Sequence, residues 1–92
     1  MDTMKTITVD ASAMDSREAA YELLAGALEL PAYWGRNLDA LYDVLTELGS
    51  PTRLVVLRRE ALEEHLGDYG RALLETLEDA DRDNPALQVL YG

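Results

Sequence analysis

Three carboxylates, Asp39, Asp43 and Glu47, recur at every fourth position. At roughly 100° per residue they stack one turn above another along a single line of a helix. No lysine or arginine falls on that line, and Leu38, Leu41, Leu45 and Leu48, spaced i, i+3, i+7 and i+10, claim the opposite side for a core. The acids therefore project as one exposed ridge. Like charges at i and i+4 cost a few tenths of a kcal/mol per pair, a penalty that stability alone does not select. Carboxylates on a rigid helix accept charge-assisted hydrogen bonds from arginine and lysine, and can stand where phosphates stand in a basic cleft. A second chemistry is metal ligation or acid/base work with His65, the only histidine, as helper. It needs a convergent pocket, and the chain carries no nucleophile motif or Gly-rich phosphate loop. An ordinary solvated helix face has the same pattern as the ridge.

The residues ahead of the ridge must position it. Pro31 restricts Leu30 to extended conformations, so the preceding helix is expected to end near Glu29 or Leu30, with a tight connection after it. Tyr33 and Trp34 then fall on a loop, where both offer apolar, low-entropy contact area at a rim. Gly35 suits a close turn or a positive φ, and Asn37 can cap a helix starting at Leu38. Asp39 gains from the positive end of that helix, whereas Asp43 and Glu47 do not.

The segment Leu30 to Thr46, LPAYWGRNLDALYDVLT, resembles the barstar family, small intracellular protein inhibitors of secreted guanyl-preferring bacterial ribonucleases. The order of the remaining chain is compatible with that family throughout. The resemblance implies that Tyr33 is the inhibitory-loop tyrosine and that Asp39 and Asp43 are the two inhibitory aspartates of the second helix. Tyr42 stands where the family carries a tryptophan beside the second aspartate. Asp79 stands where it carries a more distant glutamate that also touches the enzyme, with Glu75 and Glu78 as alternatives on the same helix end. After Thr46 the family has Gly-Trp and this chain has Glu47-Leu48, so an aromatic rim contact is missing and the ribonuclease recognised is left open. The implied partner-binding set is Tyr33, Trp34, Gly35, Asn37, Asp39, Tyr42, Asp43, Thr46, Glu47 and Asp79. The implied protein is a cytoplasmic antitoxin or immunity protein, monomeric when free. It has no cofactor, metal or catalysis of its own, and forms a 1:1 complex with a basic, extracellular barnase-type ribonuclease.

Composition bounds the same question independently. The 92 residues suit one small domain over positions 1–92 with a single modest core. Eighteen acids against eight Lys plus Arg give a formal charge of −10, which disfavours nucleic acid and anionic membranes and attracts a basic partner. Without cysteine, no disulfide or thiolate metal site is available. The first residues lack a basic region followed by an apolar stretch, and no run is long enough to span a bilayer. A cytoplasmic location is expected. An acidic interaction module for a basic partner that is not a ribonuclease is the alternative reading.

Periodicity supplies the elements. Lys5–Val9 alternates as a short strand ended by Asp10, and Ser16 can cap a helix reaching the Pro31 loop. The ridge helix should stop near Gly49-Ser50-Pro51. Arg53–Leu57 is a continuous apolar run suited to a buried central strand. A short helix over Glu60–Leu66, another over Tyr69–Asp81 and a last strand over Leu87–Tyr91 follow, with Asn84-Pro85 as the break. The order β-α-α-β-α-α-β predicts an α/β fold, a small three-stranded parallel sheet flanked by helices, as in the barstar fold. Arg53, Arg58 and Arg59 bracket the central strand as solvated ends. Glu75, Glu78, Asp79, Asp81 and Asp83 form a second acidic patch whose dipole-opposed position suggests a use shared with the ridge.

Overall fold

The computed structural model describes residues 4–92; the expectation made for the first residues, Met1 to Thr3, lies outside them. Three strands, β1 (Lys5–Asp10), β2 (Thr52–Leu57) and β3 (Leu87–Tyr91), alternate with helices α1 (Arg17–Leu28), α2 (Leu38–Thr46), α3 (Glu60–Leu66) and α4 (Asp68–Asp83). A 3₁₀ turn over Ala11–Ala13 follows β1 and is an addition to the expected elements. The sheet is parallel in the order β1-β2-β3, with Ile7, Leu54 and Val89 in one cross-strand row. The α/β architecture and its element order are those expected.

The sheet departs from expectation in being one-sided. Ile7, Val9, Leu54, Val56, Leu87 and Val89 are buried, whereas the alternate residues Thr6, Thr8, Arg53, Val55, Gln88 and Leu90 are exposed or half-buried. The apolar run of β2 is therefore buried on one face only. Crossovers between parallel strands are right-handed; with the strands in consecutive order, both crossovers stack their helices on the same side. On the open face the Arg53 guanidinium donates to Gln88 at 3.0 Å, so this arginine belongs to the sheet and is not a solvated end.

On the covered side, Leu24, Leu41, Leu45, Leu62, Leu73 and Leu77 are essentially inaccessible. Helix α2 packs mainly against α4, and α4 against α3. Gly70 makes the second contact possible, because a Cβ there would lie 2.1 Å from the Leu62 carbonyl oxygen. Both ends of α2 are pinned by asparagines. Asn37 Oδ1 accepts from the Ala40 N–H at 2.7 Å, as expected of an N-cap. At the other end α2 stops at Thr46, short of the expected Gly49, and the carbonyls of Leu45 and Leu48 accept from Asn84 Nδ2 at 2.9 and 3.1 Å. Asn84 Oδ1 also accepts from the Ala86 N–H at 3.0 Å. Asn84 thus joins the α4–β3 turn to the end of α2.

Asn84→Ala is expected to lower the unfolding free energy by about 1–3 kcal/mol, because it removes the side-chain hydrogen bonds that hold the end of α2 and the turn into β3, and Gly70→Ala by about 1–3 kcal/mol through overpacking. Denaturant titration checks both; for Asn84→Ala, a loss well below the ~1 kcal/mol of one net hydrogen bond would mean that Asn84 does not hold the end of α2.

Candidate partner-binding site

The left-handed cap of α1 at Glu29 (φ 55°) turns the chain into a loop that returns to α2. The Trp34 N–H closes a turn onto the Pro31 carbonyl at 3.1 Å. Two neighbouring aromatic side chains then part company. Tyr33 is 89% exposed, whereas Trp34 is 7% exposed and belongs to the core. Trp34 packs edge-on against Tyr21 at 5.3 Å between ring centroids, and Tyr21 edge-on against Tyr69 at 6.3 Å. The Tyr21 and Tyr69 hydroxyls are hydrogen-bonded to each other, and the Arg17 guanidinium lies 3.9 Å from the Tyr69 ring centre. Burial, reinforced by that hydroxyl contact, pushes the Tyr21 phenol well above its ordinary pKa. Trp34 is therefore an anchor that fixes the loop, which corrects its expected place at the rim. The physical reason is the aromatic seat on α1 and α4, where Trp34 packs against Tyr21 and Tyr21 against Tyr69.

The backbone of the loop also differs in detail. The positive φ falls on Arg36 (53°), not on Gly35. Of the two uses expected of Gly35 the close turn is the one present: a Cβ there would sit 3.0 Å from Ala40 Cβ and 3.3 Å from Asn37 Nδ2, tighter than an ordinary contact. Asn37 Nδ2 donates to the Gly35 carbonyl at 3.2 Å while its Oδ1 caps α2. One carboxamide thus ties loop to helix.

Along α2, Asp39, Asp43 and Glu47 are all exposed while Leu41 and Leu45 are fully buried, which is the ridge expected from spacing. Among the described residues no lysine, arginine or histidine nitrogen lies within 4.0 Å of these three carboxylates. Asp43 and Glu47 share the walls of a groove of about 420 Å³ with Tyr33, Trp34 and Gly35. Asp39 and Asn37 border a second cleft of about 720 Å³ with Arg17 and Arg36. Thr46 is half-buried, and its hydroxyl donates to the Tyr42 and Asp43 carbonyls at 2.9 and 3.1 Å. Its role is within the helix.

The second acidic patch is organised differently. Glu78 accepts from the Tyr91 hydroxyl at 2.8 Å and Asp81 from the Val89 N–H at 2.8 Å. Asp79 and Asp83 share Arg82, at 3.3 and 3.1 Å, and the Tyr42 hydroxyl donates to Asp83. Four of its five acids, all but Glu75, thus have partners inside the protein, which the ridge acids do not. Sequence spacing points to the ridge, but these pairings depend on where β3 and α2 lie against α4. The Arg82 guanidinium, then the Tyr42 hydroxyl, hold the Asp83 carboxyl below its usual range, and that same hydrogen bond raises Tyr42. Asp79 is in this way linked to the ridge helix through Arg82, Asp83 and Tyr42. His65 is exposed on α3, and among the described residues no three His, Cys, Asp or Glu side chains converge as a metal site. Among them, too, no helix is long and apolar enough to cross a membrane.

A family model described as Barstar (barnase inhibitor) matches residues 4–91. The chain is also 35% identical over 81 residues to the Bacillus subtilis (strain 168) protein named "Putative ribonuclease inhibitor YrdF", covering 87% of this chain and 89% of that protein.

Core and surface roles separate Trp34 from Tyr33: Trp34→Ala should cost about 3–5 kcal/mol of stability and Tyr33→Ala no more than about 0.5 kcal/mol, as read by chemical denaturation. For Asp83, a lowered folded pKa means stability that is present above the ordinary carboxylate value and lost as pH falls through the folded one. The difference in denaturation midpoint between wild type and Asp83→Asn should therefore hold near neutral pH and fade below about pH 4. Equal midpoints at neutral pH would show that the contact contributes nothing.

Proposed function

The chain belongs to the barstar family, and on that premise we propose that it is a protein inhibitor that blocks the active site of a secreted, guanyl-preferring ribonuclease of the barnase type. The observation that carries this reading is the ridge of α2. Three exposed carboxylates stand in line without a cation of their own among the described residues, beside a tyrosine that is almost wholly exposed. A ribonuclease cleft holds phosphates with arginine, lysine and histidine side chains. Asp39 and Asp43 can occupy those phosphate positions and offer no bond to cleave. The enzyme is occupied, not chemically altered.

Rigidity makes the mimicry effective. Asn37 and Asn84 fix the two ends of α2, so the carboxylates meet the cleft without first being ordered. Tyr33 supplies apolar contact area from a loop that Trp34 holds down. The net charge of −10 speeds approach to a basic partner and makes that approach sensitive to salt. A contact of roughly 800 Å² per partner is typical of such 1:1 complexes. On this reading the protein is held in the cytoplasm, where it neutralises a toxic ribonuclease before export or one delivered by a competitor. It is an inhibitor and not an enzyme.

The test is titration of a barnase-type ribonuclease with the purified protein at low and physiological salt. Stoichiometric inhibition is expected, with Asp43→Ala and Asp39→Ala each weakening it by about 30-fold or more, the equivalent of ~2 kcal/mol at a central charged contact. A folded wild type that inhibits none of several such enzymes would sink the reading and leave an acidic module for some other basic protein.

A further inference from the structure

Arg82 is the only basic residue between positions 72 and 92, a stretch holding five carboxylates. Two of these, Glu78 and Asp81, are held by groups of β3, and the guanidinium goes to Asp79 and Asp83. The ridge on α2 has no such counter-ion among the described residues. The protein therefore presents one acidic surface bare and the adjoining one with four of its five carboxylates, all but Glu75, already paired.

We propose that Arg82 is a specificity-determining residue that stands in for a partner's cation at Asp79, so that the distal contact is closed to a basic side chain until Arg82 is displaced. The inference rests on the ribonuclease-inhibitor reading of the ridge. The Tyr42 hydroxyl fixes Asp83, and Asp83 holds the guanidinium through Nε at 3.1 Å, leaving a second nitrogen, Nη1, for Asp79 at 3.3 Å. Arg82 is thus held on two carboxylates at once, from a position next to the ridge helix. A cation arriving at Asp79 meets a like charge and must displace it, so what it gains from the carboxylate is offset by the exposed ion pair it breaks. The consequence is selective: a ribonuclease whose surface facing the end of α4 is neutral or acidic loses nothing, whereas one with a lysine or arginine there gains little from it. Discrimination by a built-in like charge is a usual way for an interface to refuse partners.

The test is a double-mutant cycle in the full chain, against a barnase-type ribonuclease that the wild type inhibits and that carries a basic residue opposite α4. Asp79→Asn alone should change the inhibition constant less than about threefold, Arg82→Gln should tighten it by about 3–10-fold, and Asp79→Asn in the Arg82→Gln background should cost about tenfold. Arg82→Lys, which keeps the charge, should stay near wild type. A loss of about tenfold from Asp79→Asn alone, or no change in Arg82→Gln, would overturn the proposal. A second arm needs no ribonuclease: n-butylguanidinium is titrated while the Asp79 side-chain carboxyl is followed by carbon NMR. The signal should respond in Arg82→Gln and stay still in wild type; equal responses would also overturn it. Failure of wild type to inhibit any enzyme, with this second arm positive, would instead count against the inhibitor reading and leave the masking of Asp79 standing.

Discussion

Asn84 and Thr52 are the two polar side chains buried among the described residues, and Asn84 spends its whole carboxamide on backbone. Its Nδ2 donates to the carbonyls of Leu45, in the last turn of α2, and of Leu48, just beyond it, where helical backbone partners run out. Its Oδ1 holds the turn that launches β3. Helix α2 has nine residues, short for a helix that must form by itself. Its stability comes from burying Leu41 and Leu45 and from fixing its ends. A surface that presents charge to a partner needs its helix held in one place, and here the two helix ends are held by carboxamide bonds that touch no charged group. The acidic ridge can therefore be strained electrostatically without the helix depending on it.

The loop before α2 follows the same logic. Its conformation is set by Trp34 in the aromatic seat formed with Tyr21 and Tyr69, by the close approach of Gly35 to Ala40, and by the Asn37 amide. Tyr33 is free to be exposed because its neighbour is not. Exposing a tyrosine costs hydrophobic burial, and a loop with both rings in solvent would have little to hold it. Burial of one ring next to exposure of the other separates the task of fixing the loop from that of meeting a partner.

These divisions are unequally legible in the sequence. The ridge, the Asn37 cap and the positions of all three strands follow from spacing and propensity, which are local properties. The burial of Trp34 does not, because loop side chains have no periodicity that assigns them a side, and Tyr21 and Tyr69 lie far away in sequence. Of the two uses open to Gly35, a close turn or a positive φ, sequence cannot choose, because the close contact with Ala40 depends on how the loop folds back on α2. The one-sided sheet is equally hidden, because an apolar run such as Leu54–Leu57 reads as buried on both faces until strand order is known. Asn84 reads as a breaker through its neighbour Pro85, although its larger role lies in hydrogen bonds to residues 39 and 36 positions away.

The two acidic surfaces show why net charge alone is a poor guide to where a protein binds. The end of α4 is as rich in carboxylates as the ridge, but four of its five acids, all but Glu75, are engaged by Arg82, by the Tyr91 and Tyr42 hydroxyls, and by the Val89 N–H. Those groups answer the local field, and the helix C-terminus is relieved of charge that its dipole opposes. The ridge has no comparable relief. Asp43 and Glu47 gain nothing from the dipole, repel each other across one turn, and face solvent with no cation from the described residues beside them. A chain that pairs most acids of one surface internally and leaves the next bare keeps, at that second surface, carboxylates free to accept hydrogen bonds from an external cation. On the inhibitor reading proposed above, this asymmetry, more than the net charge of −10, is what directs a basic partner to α2.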